Sequence, residues 1–401
     1  MILSIVVPFY DEEAAIEDVL RRCVTAAGEL ARERPDLAEV EVIAVDDGSR
    51  DGSAERAARV AGVKLVRHEG NRGYGAALKS GFDSAKGDWL AFLDGDGTCC
   101  PLSLGNLLDK ALAEELDVVI GARLHGGSRM PVLRTAGNRL FHGLVGALGG
   151  GDVSDVASGI RVLRRTAYEA MAPLPDGMAF SPAMSARAIL DPALRVGEVP
   201  VWYDERVGAS KLSAVGDGLR FLLVILETGL VFRPRAFFGW CGAVLTAAAV
   251  LLFSFGLGGP EAPLAYVLRE RAAAEWMYFR FVLIAVLVSL AFFLAALGVV
   301  LQALVGVVHR GRDGAFVGPG SSGALARLFP LAGVALFLAG TAVNAEPLAS
   351  YWRTGHISHE HWVQPIVGGV LTAAGVKLWG LWVASRIAEL LWRRQRAGTL
   401  W

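Results

Sequence analysis

The 401-residue chain is poor in cysteine and histidine, with four and seven of them. Cys23, Cys99, Cys100 and Cys241 show neither zinc-ligand spacing nor a disulfide framework. The adjacent Cys99 and Cys100 read as reduced residues of a cytoplasmic domain. No charge of either sign is in excess, since 39 Lys and Arg against 40 Asp and Glu leave a net charge of -1. A nucleic-acid partner, which needs a basic face, therefore gains no support. The start does not read as a signal peptide, because residues 1–8 have the character of a short buried strand running into a loop. Charge is scarcest in the second half. Nearly all lysines and acids precede Leu212, and Leu, Val, Ala, Phe, Gly and Trp dominate the remainder of the chain. A mean hydropathy of +0.44 with 20% charged residues thus describes a soluble domain joined to a membrane domain.

Four apolar stretches, residues 237–257, 279–308, 325–343 and 363–391, are long enough to cross a hydrocarbon core of about 30 Å. Basic residues set their expected orientation. Arg233 and Arg235 precede the first, Arg310, Arg312 and Arg327 separate the second and third, and Arg393, Arg394 and Arg396 follow the fourth. The positive-inside rule places both termini in the cytoplasm. Before the spans, residues 212–232 are apolar but interrupted by Asp217, Arg220 and Glu227. That pattern suits interfacial amphipathic helices, and an ordinary core helix also fits it. Gly333, Gly340, Gly368, Gly369 and Gly375 permit close helix packing, either inside one bundle or between subunits of a homo-oligomer.

The first 211 residues alternate strand and helix signals. Residues 2–7, 40–45, 63–67, 89–93 and 117–121 are apolar runs of strand length, and helical patterns at 14–34 and 53–61 separate the early ones. Alternation of this kind implies an α/β fold with a parallel or mixed sheet. Ligands bind such sheets at the carboxyl ends of the strands. Here those ends are acidic: Tyr10-Asp11-Glu12-Glu13, Asp46-Asp47-Gly48-Ser49 and Asp94-Gly95-Asp96-Gly97-Thr98. Carboxylates so close together repel unless a cation neutralises them, and hard oxygen donors suit Mg²⁺ or Mn²⁺. Such an ion would bind a substrate diphosphate.

The strings Val6-Val7-Pro8-Phe9-Tyr10-Asp11-Glu12, Val45-Asp46-Asp47-Gly48-Ser49 and Asn71-Arg72-Gly73-Tyr74-Gly75 resemble family 2 glycosyltransferases. Asp94-Gly95-Asp96 matches their metal-binding Asp-x-Asp motif. Ser158-Gly159-Ile160-Arg161 and the run from Val199 through Tyr203, Arg206 and Lys211 to Leu212 resemble the polyprenyl-phosphate branch, the dolichol-phosphate mannose and glucose synthases. The resemblance covers essentially all of residues 1–215.

It implies a GT-A domain over 1–211, which the charge rule places in the cytoplasm; the apolar pattern adds interfacial amphipathic helices over 212–235 and a four-helix membrane domain over 236–401 with a short cytoplasmic tail. The resemblance also implies inverting transfer of a hexose from a GDP-mannose or UDP-glucose type donor to a polyprenyl phosphate. By position, Pro8, Tyr10, Glu12 and Asp47 would line the nucleotide pocket and Asp46 would support its loop. Asp94 and Asp96 would hold the metal, and Thr98, where some relatives have glutamine, would act through water. The acceptor phosphate needs holding rather than deprotonation, and arginine forks suit that. Arg123, Arg134, Arg206 and Lys211 are the candidates; Arg206 is also placed for the donor, as is Lys79. Plainer roles fit some of these: Asp51 and Ser53 as helix caps, Lys79 as a solvated helix residue, Arg134 and Arg139 as lipid-headgroup contacts. A processive polysaccharide synthase would share the domain, but no Gln-x-x-Arg-Trp string occurs. A non-catalytic scaffold would not be expected to keep such clustered carboxylates. His356, His359 and His361 with Glu360 form a loop cluster read as solvated or interfacial rather than metal-binding.

Overall fold

The computed structural model describes residues 1–123, 132–149, 151, 153–204, 206, 214–255, 262–270, 277–309, 325–354 and 363–396. Lys211, Arg310, Arg312 and the His356, His359 and His361 cluster lie outside the described residues. The chain divides into two units, Met1–Phe232 and Arg233–Trp401.

The first unit is a seven-stranded sheet wrapped by helices. In chain order its elements are β1 (Ile2–Phe9), α1 (Ile16–Glu33), β2 (Glu39–Asp46), α2 (Ser53–Ala58), β3 (Val63–Arg67), α3 (Tyr74–Ser84), β4 (Trp89–Leu93) and α4 (Ser103–Ala113). Next come β5 (Val118–Ala122), α5 (Val132–Ala147), β6 (Ile160–Arg164), α6 (Arg165–Ala170), α7 (Phe180–Leu190), β7 (Val196–Pro200) and α8 (Ala214–Phe232). The sheet order is β3-β2-β1-β4-β6-β5-β7. Every pairing is parallel except those of β6, which runs antiparallel to β4 and β5. The expected α/β architecture with a mixed sheet is present.

Burial explains the central strands. β1 pairs with β2 and β4 on its two edges and is covered by α1 and α3, so all but its first residue are buried. α1 sets Ile16, Val19, Leu20, Cys23, Ala27 and Leu30 on one stripe against the sheet. Gly81 lets α3 approach closely, because a Cβ there would lie 2.3 Å from Val6 Cγ1. The register Phe9↔Asp46 ends β1 and β2 level, so their acidic exits adjoin. β6 and β7 carry no strand signal in the sequence. β6 contains the fully buried Arg161, and β7 is a half-exposed edge strand with Gly197 and Pro200. α8 is one continuous helix that packs on α7 and α5, with Phe141 and Phe221 edge-on at 6.1 Å. Asp217, Ile225 and Thr228 are buried on it, and Leu219, Leu223, Leu230 and Val231 are exposed.

The second unit contains α9 (Pro234–Ser254), α10 (Pro263–Glu270), α11 (Tyr278–His309), α12 (Leu325–Val343), α13 (Ala345–Thr354) and α14 (Val363–Arg396). Among the described residues four stretches, Pro234–Ser254, Tyr278–Val305, Pro330–Arg353 and Gln364–Ala384, are long and apolar enough to cross a membrane. They pack through glycine. α9 meets α11 at Gly242 and Gly298, and α12 meets α14 at Gly333, Gly340 and Gly375. These glycines therefore serve contacts within one chain, where helices attract mainly by close packing.

A Cβ at Gly340 would fall 2.5 Å from the Gly368 carbonyl oxygen, whereas nothing lies within 4 Å of one at Gly380. Gly340→Leu is expected to lower the melting temperature of the detergent-purified chain, by an overpacking cost of about 1–3 kcal/mol. Gly380→Ala should leave it unchanged; equal melting of both variants would contradict the α12–α14 contact.

Candidate active site

The exits of β1 and β2 are stitched together by their own polar groups. Asp47 N–H donates to the Phe9 carbonyl at 2.9 Å. Asp11, in the left-handed region at φ 49°, donates its N–H to Ser49 Oγ and accepts from Arg50 N–H at 2.7 Å. Glu12 N–H donates to Ser53 Oγ at 2.8 Å, so Ser53 ties loops together, and Asp51 Oδ1 accepts the Ser53 N–H at the start of α2 at 3.0 Å. Asp46 is fully buried and accepts from Ser49 N–H at 2.8 Å and Arg67 Nε at 3.2 Å. Asp47 takes the backbone N–H groups of Arg72 and Gly73 at 2.9 and 2.8 Å, and meets His68 Nδ1 at 2.7 Å. His68 Nε2 in turn meets Ser80 Oγ at 2.9 Å. These two aspartates thus seat the β2 exit and the loop before α3.

Four charged side chains converge beside that frame. Arg206 Nη1 donates to Asp96 Oδ2 at 2.9 Å, and Nη2 donates to Glu12 Oε1. One guanidinium thereby bridges acids from the ends of β1 and β4. Asp96 Oδ1 accepts the Thr98 hydroxyl at 2.6 Å and its N–H at 3.1 Å. Thr98 is thus engaged in fixing Asp96. Asp94 Oδ1 accepts the Tyr74 hydroxyl at 2.7 Å. Burial first, and then the charge of Asp96, pushes the Asp94 carboxyl up to about 7. A Cβ on Gly159 would fall 1.9 Å from Asp94 Oδ2, so glycine there leaves the carboxylate its room.

Asp94 and Asp96 offer hard oxygen donors of the kind Mg²⁺ and Mn²⁺ prefer. Among the described residues no group of three or more His, Cys, Asp or Glu is placed to hold an ion. A divalent ion on this pair would complete its shell from other donors, and the crowded negative charge fits that arrangement.

The remaining expected residues are more dispersed. Pro8 and Tyr10 sit at the β1 exit. Lys79 Nζ donates to the Leu174 carbonyl at 3.0 Å and pairs with Asp176, fixing the loop before α7. Arg123 grips Asp155 with Nε and Nη2 at 2.7 and 3.0 Å and lies 5.3 Å from the Tyr203 ring centroid. Arg134 stands in the first turn of α5, its side chain outside what the structure describes.

Several supporting residues are not announced by the sequence. Asp155 also accepts Asn138 Nδ2 at 2.7 Å, and neither residue carries a local signal. Tyr74, Gly159 and Arg161 belong to the family-like strings, which by themselves assign them no role. Arg161 is fully buried and donates to the Val156 and Ser158 carbonyls at 3.1–3.2 Å. Burial depresses its pKa to about 10.

Residues 4–171 match the sequence profile of Glycosyl transferase family 2. An undecaprenyl-phosphate 4-deoxy-4-formamido-L-arabinose transferase of Pseudomonas fluorescens is 32% identical over 284 residues, 63% of this chain and 80% of that protein. The chain belongs to glycosyltransferase family 2. It is an enzyme of the glycosyltransferase class. The low-salt glycan biosynthesis hexosyltransferase of Haloferax volcanii is 32% identical over 65% of this chain, and the match spans 60% of that protein's length. The dodecaprenyl-phosphate galacturonate synthase of Rhizobium johnstonii is 26% identical over 63% of this chain and 75% of its own. Among solved structures, glucosyl-3-phosphoglycerate synthase from Mycobacterium tuberculosis, with Mn²⁺, uridine diphosphate and phosphoglyceric acid, aligns at TM-score 0.45 and 21% identity, covering 57% of this chain and 78% of that one.

Two outcomes are expected for the transferase site. Gly159→Ala should displace the Asp94 carboxylate and lower the melting temperature, by an overpacking cost of about 1–3 kcal/mol; unchanged melting would contradict the Asp94 placement. Burial opposes ionisation of Asp155, but Arg123 outweighs it and holds the carboxyl below its usual range. That stabilisation is present above about pH 4, the ordinary aspartate pKa, and is lost as pH falls through the depressed folded value. Asp155→Asn should therefore melt earlier than the parent at neutral pH, by a cost of about 3–5 kcal/mol for breaking a buried pair. The gap should close below pH 4, and a gap independent of pH would exclude the ion pair as its source.

Proposed function

We propose that the transferase moves a hexose, with inversion, from a GDP-mannose or UDP-glucose type donor to a polyprenyl phosphate, yielding a polyprenyl-phosphate-linked monosaccharide. The observation that carries this reading is the gathering of Glu12, Asp94 and Asp96 around Arg206 at the strand ends. The acceptor class is supported by the undecaprenyl- and dodecaprenyl-phosphate named for two relatives. The four apolar helices fit a lipid substrate. Their flanking arginines favour both termini, and the catalytic unit, on the cytoplasmic side of the inner membrane.

Asp94 and Asp96 would hold Mg²⁺ or Mn²⁺, which when bound supplies Lewis-acid stabilisation of the departing diphosphate. Tyr74 and Thr98 orient the two carboxylates. Pro8, Tyr10 and Glu12, with the loops seated on Asp46 and Asp47, shape the nucleotide pocket. Arg206 exchanges its carboxylate partners for substrate phosphate, and Arg134 and Lys211 join it in holding the acceptor. Arg123, bound to Asp155, sets Tyr203 and the segment leading to Arg206. A phosphomonoester has a second pKa of about 6, so the acceptor is already an oxyanion nucleophile at neutral pH. Catalysis is then positioning and charge stabilisation.

Purified chain with Mg²⁺ or Mn²⁺, undecaprenyl phosphate and a panel of radiolabelled nucleotide sugars should pass label into organic solvent from one donor. Asp96→Ala should lower the rate by about 10²–10³, the scale for losing one charge-stabilising group. Nucleotide binding without lipid labelling from any donor would exclude the polyprenyl-phosphate acceptor.

A further inference from the structure

A groove of 510 Å³ runs between α11 and α14. Val282, Val286, Leu290 and Phe293 line it from α11, and Val370 and Ala373 from α14. On each helix the lining positions recur every three or four residues, giving two facing stripes of about 16 Å at 1.5 Å per residue. Lys377 is the last position of the α14 stripe. Its ammonium donates to the Ser289 carbonyl oxygen at 2.8 Å and to the Ser289 hydroxyl. Among the described residues no carboxylate pairs with it. An ammonium carries three donors, so Ser289 leaves one for a ligand. A lysine inside an apolar span is costly, and in membrane helices such residues mark sites. Joining two helices accounts for the bond to Ser289 but not for an open apolar channel beside a cation.

An elongated apolar channel with an uncompensated ammonium is complementary to an amphiphile with an anionic head. We propose that this groove is a holding site for the phosphate-headed polyprenyl lipid before transfer, its chain along the two stripes and its phosphate at Lys377, whereas Arg134, Arg206 and Lys211 hold the acceptor during transfer. The proposal rests on the acceptor assigned above. Lys377 is the lining residue nearest Ala384, beyond which Arg386, Arg393, Arg394 and Arg396 come in sequence. The charge rule puts that end of α14 on the cytoplasmic side, where the phosphate would enter.

The test uses the full chain in detergent, labelled undecaprenyl phosphate as probe, and Lys377→Met, Lys377→Arg and Ala373→Phe. Binding should fall at least about tenfold in Lys377→Met and Ala373→Phe and persist in Lys377→Arg, as a phosphate-paired cation requires. Nucleotide affinity and the gel-filtration profile of the purified chain should be unchanged in all three, which excludes misfolding of either unit. Undiminished lipid binding in both Lys377→Met and Ala373→Phe would overturn the groove while leaving the acceptor reading intact. Displacement of the probe by equimolar phosphatidylglycerol would also overturn it, as a general anionic-lipid site. Failure of the parent chain both to bind the probe and to transfer sugar to undecaprenyl phosphate would take the acceptor reading down with it.

Discussion

Repulsion among Glu12, Asp94 and Asp96 is the constraint around which the first unit is arranged. Three carboxylates brought to one sheet edge are tolerated only if each is fixed and their charge is met. Arg206 meets two of them with one planar fork, an arrangement a lysine ammonium would not reproduce. Tyr74 fixes Asp94 Oδ1 and Thr98 fixes Asp96 Oδ1. Burial, and after it the charge of Asp96, raises the pKa of Asp94 despite the nearby Arg206.

The surrounding loops are held by the same combination of paired charges and backbone donors. Asp46 and Asp47 look like site residues by sequence, yet their carboxylates give their lone pairs to Ser49, Arg67, His68 and the Arg72–Gly73 backbone. Their contribution is to seat the strand exits at fixed places. Arg123 is likewise committed to Asp155, whose second partner is Asn138. A buried bidentate pair of this kind sets the position of what packs on it, here the ring of Tyr203.

In the second unit the forces differ. Lipid gives no hydrophobic drive for helix association, so close backbone approach at small residues takes its place. Gly333, Gly340 and Gly375 do this between α12 and α14, and Gly242 and Gly298 between α9 and α11. The glycine pattern is legible in the sequence as a packing signal, but one chain and two chains would produce the same pattern. Lys377 is silent there because a single lysine barely disturbs the hydropathy of a 34-residue helix.

The amino-acid sequence by itself determined the division into an α/β half and an apolar helical half, because apolar periodicity and run length are local properties. It also determined the first five strands and the acidic exits of β1, β2 and β4, since each is a short contiguous string ending a buried run. The strands β6 and β7 were settled only by the sheet, since a buried arginine and a half-exposed edge remove the apolar run that announces a strand. Tertiary structure alone decided the partners: Arg206 with Asp96 and Glu12 across 110 and 194 residues, Tyr74 with Asp94, Asp155 with Arg123. The physical reason is that a hydrogen-bond partner is chosen by distance in space. Sequence records which residues carry charge; the registers of the sheet determine which charges meet.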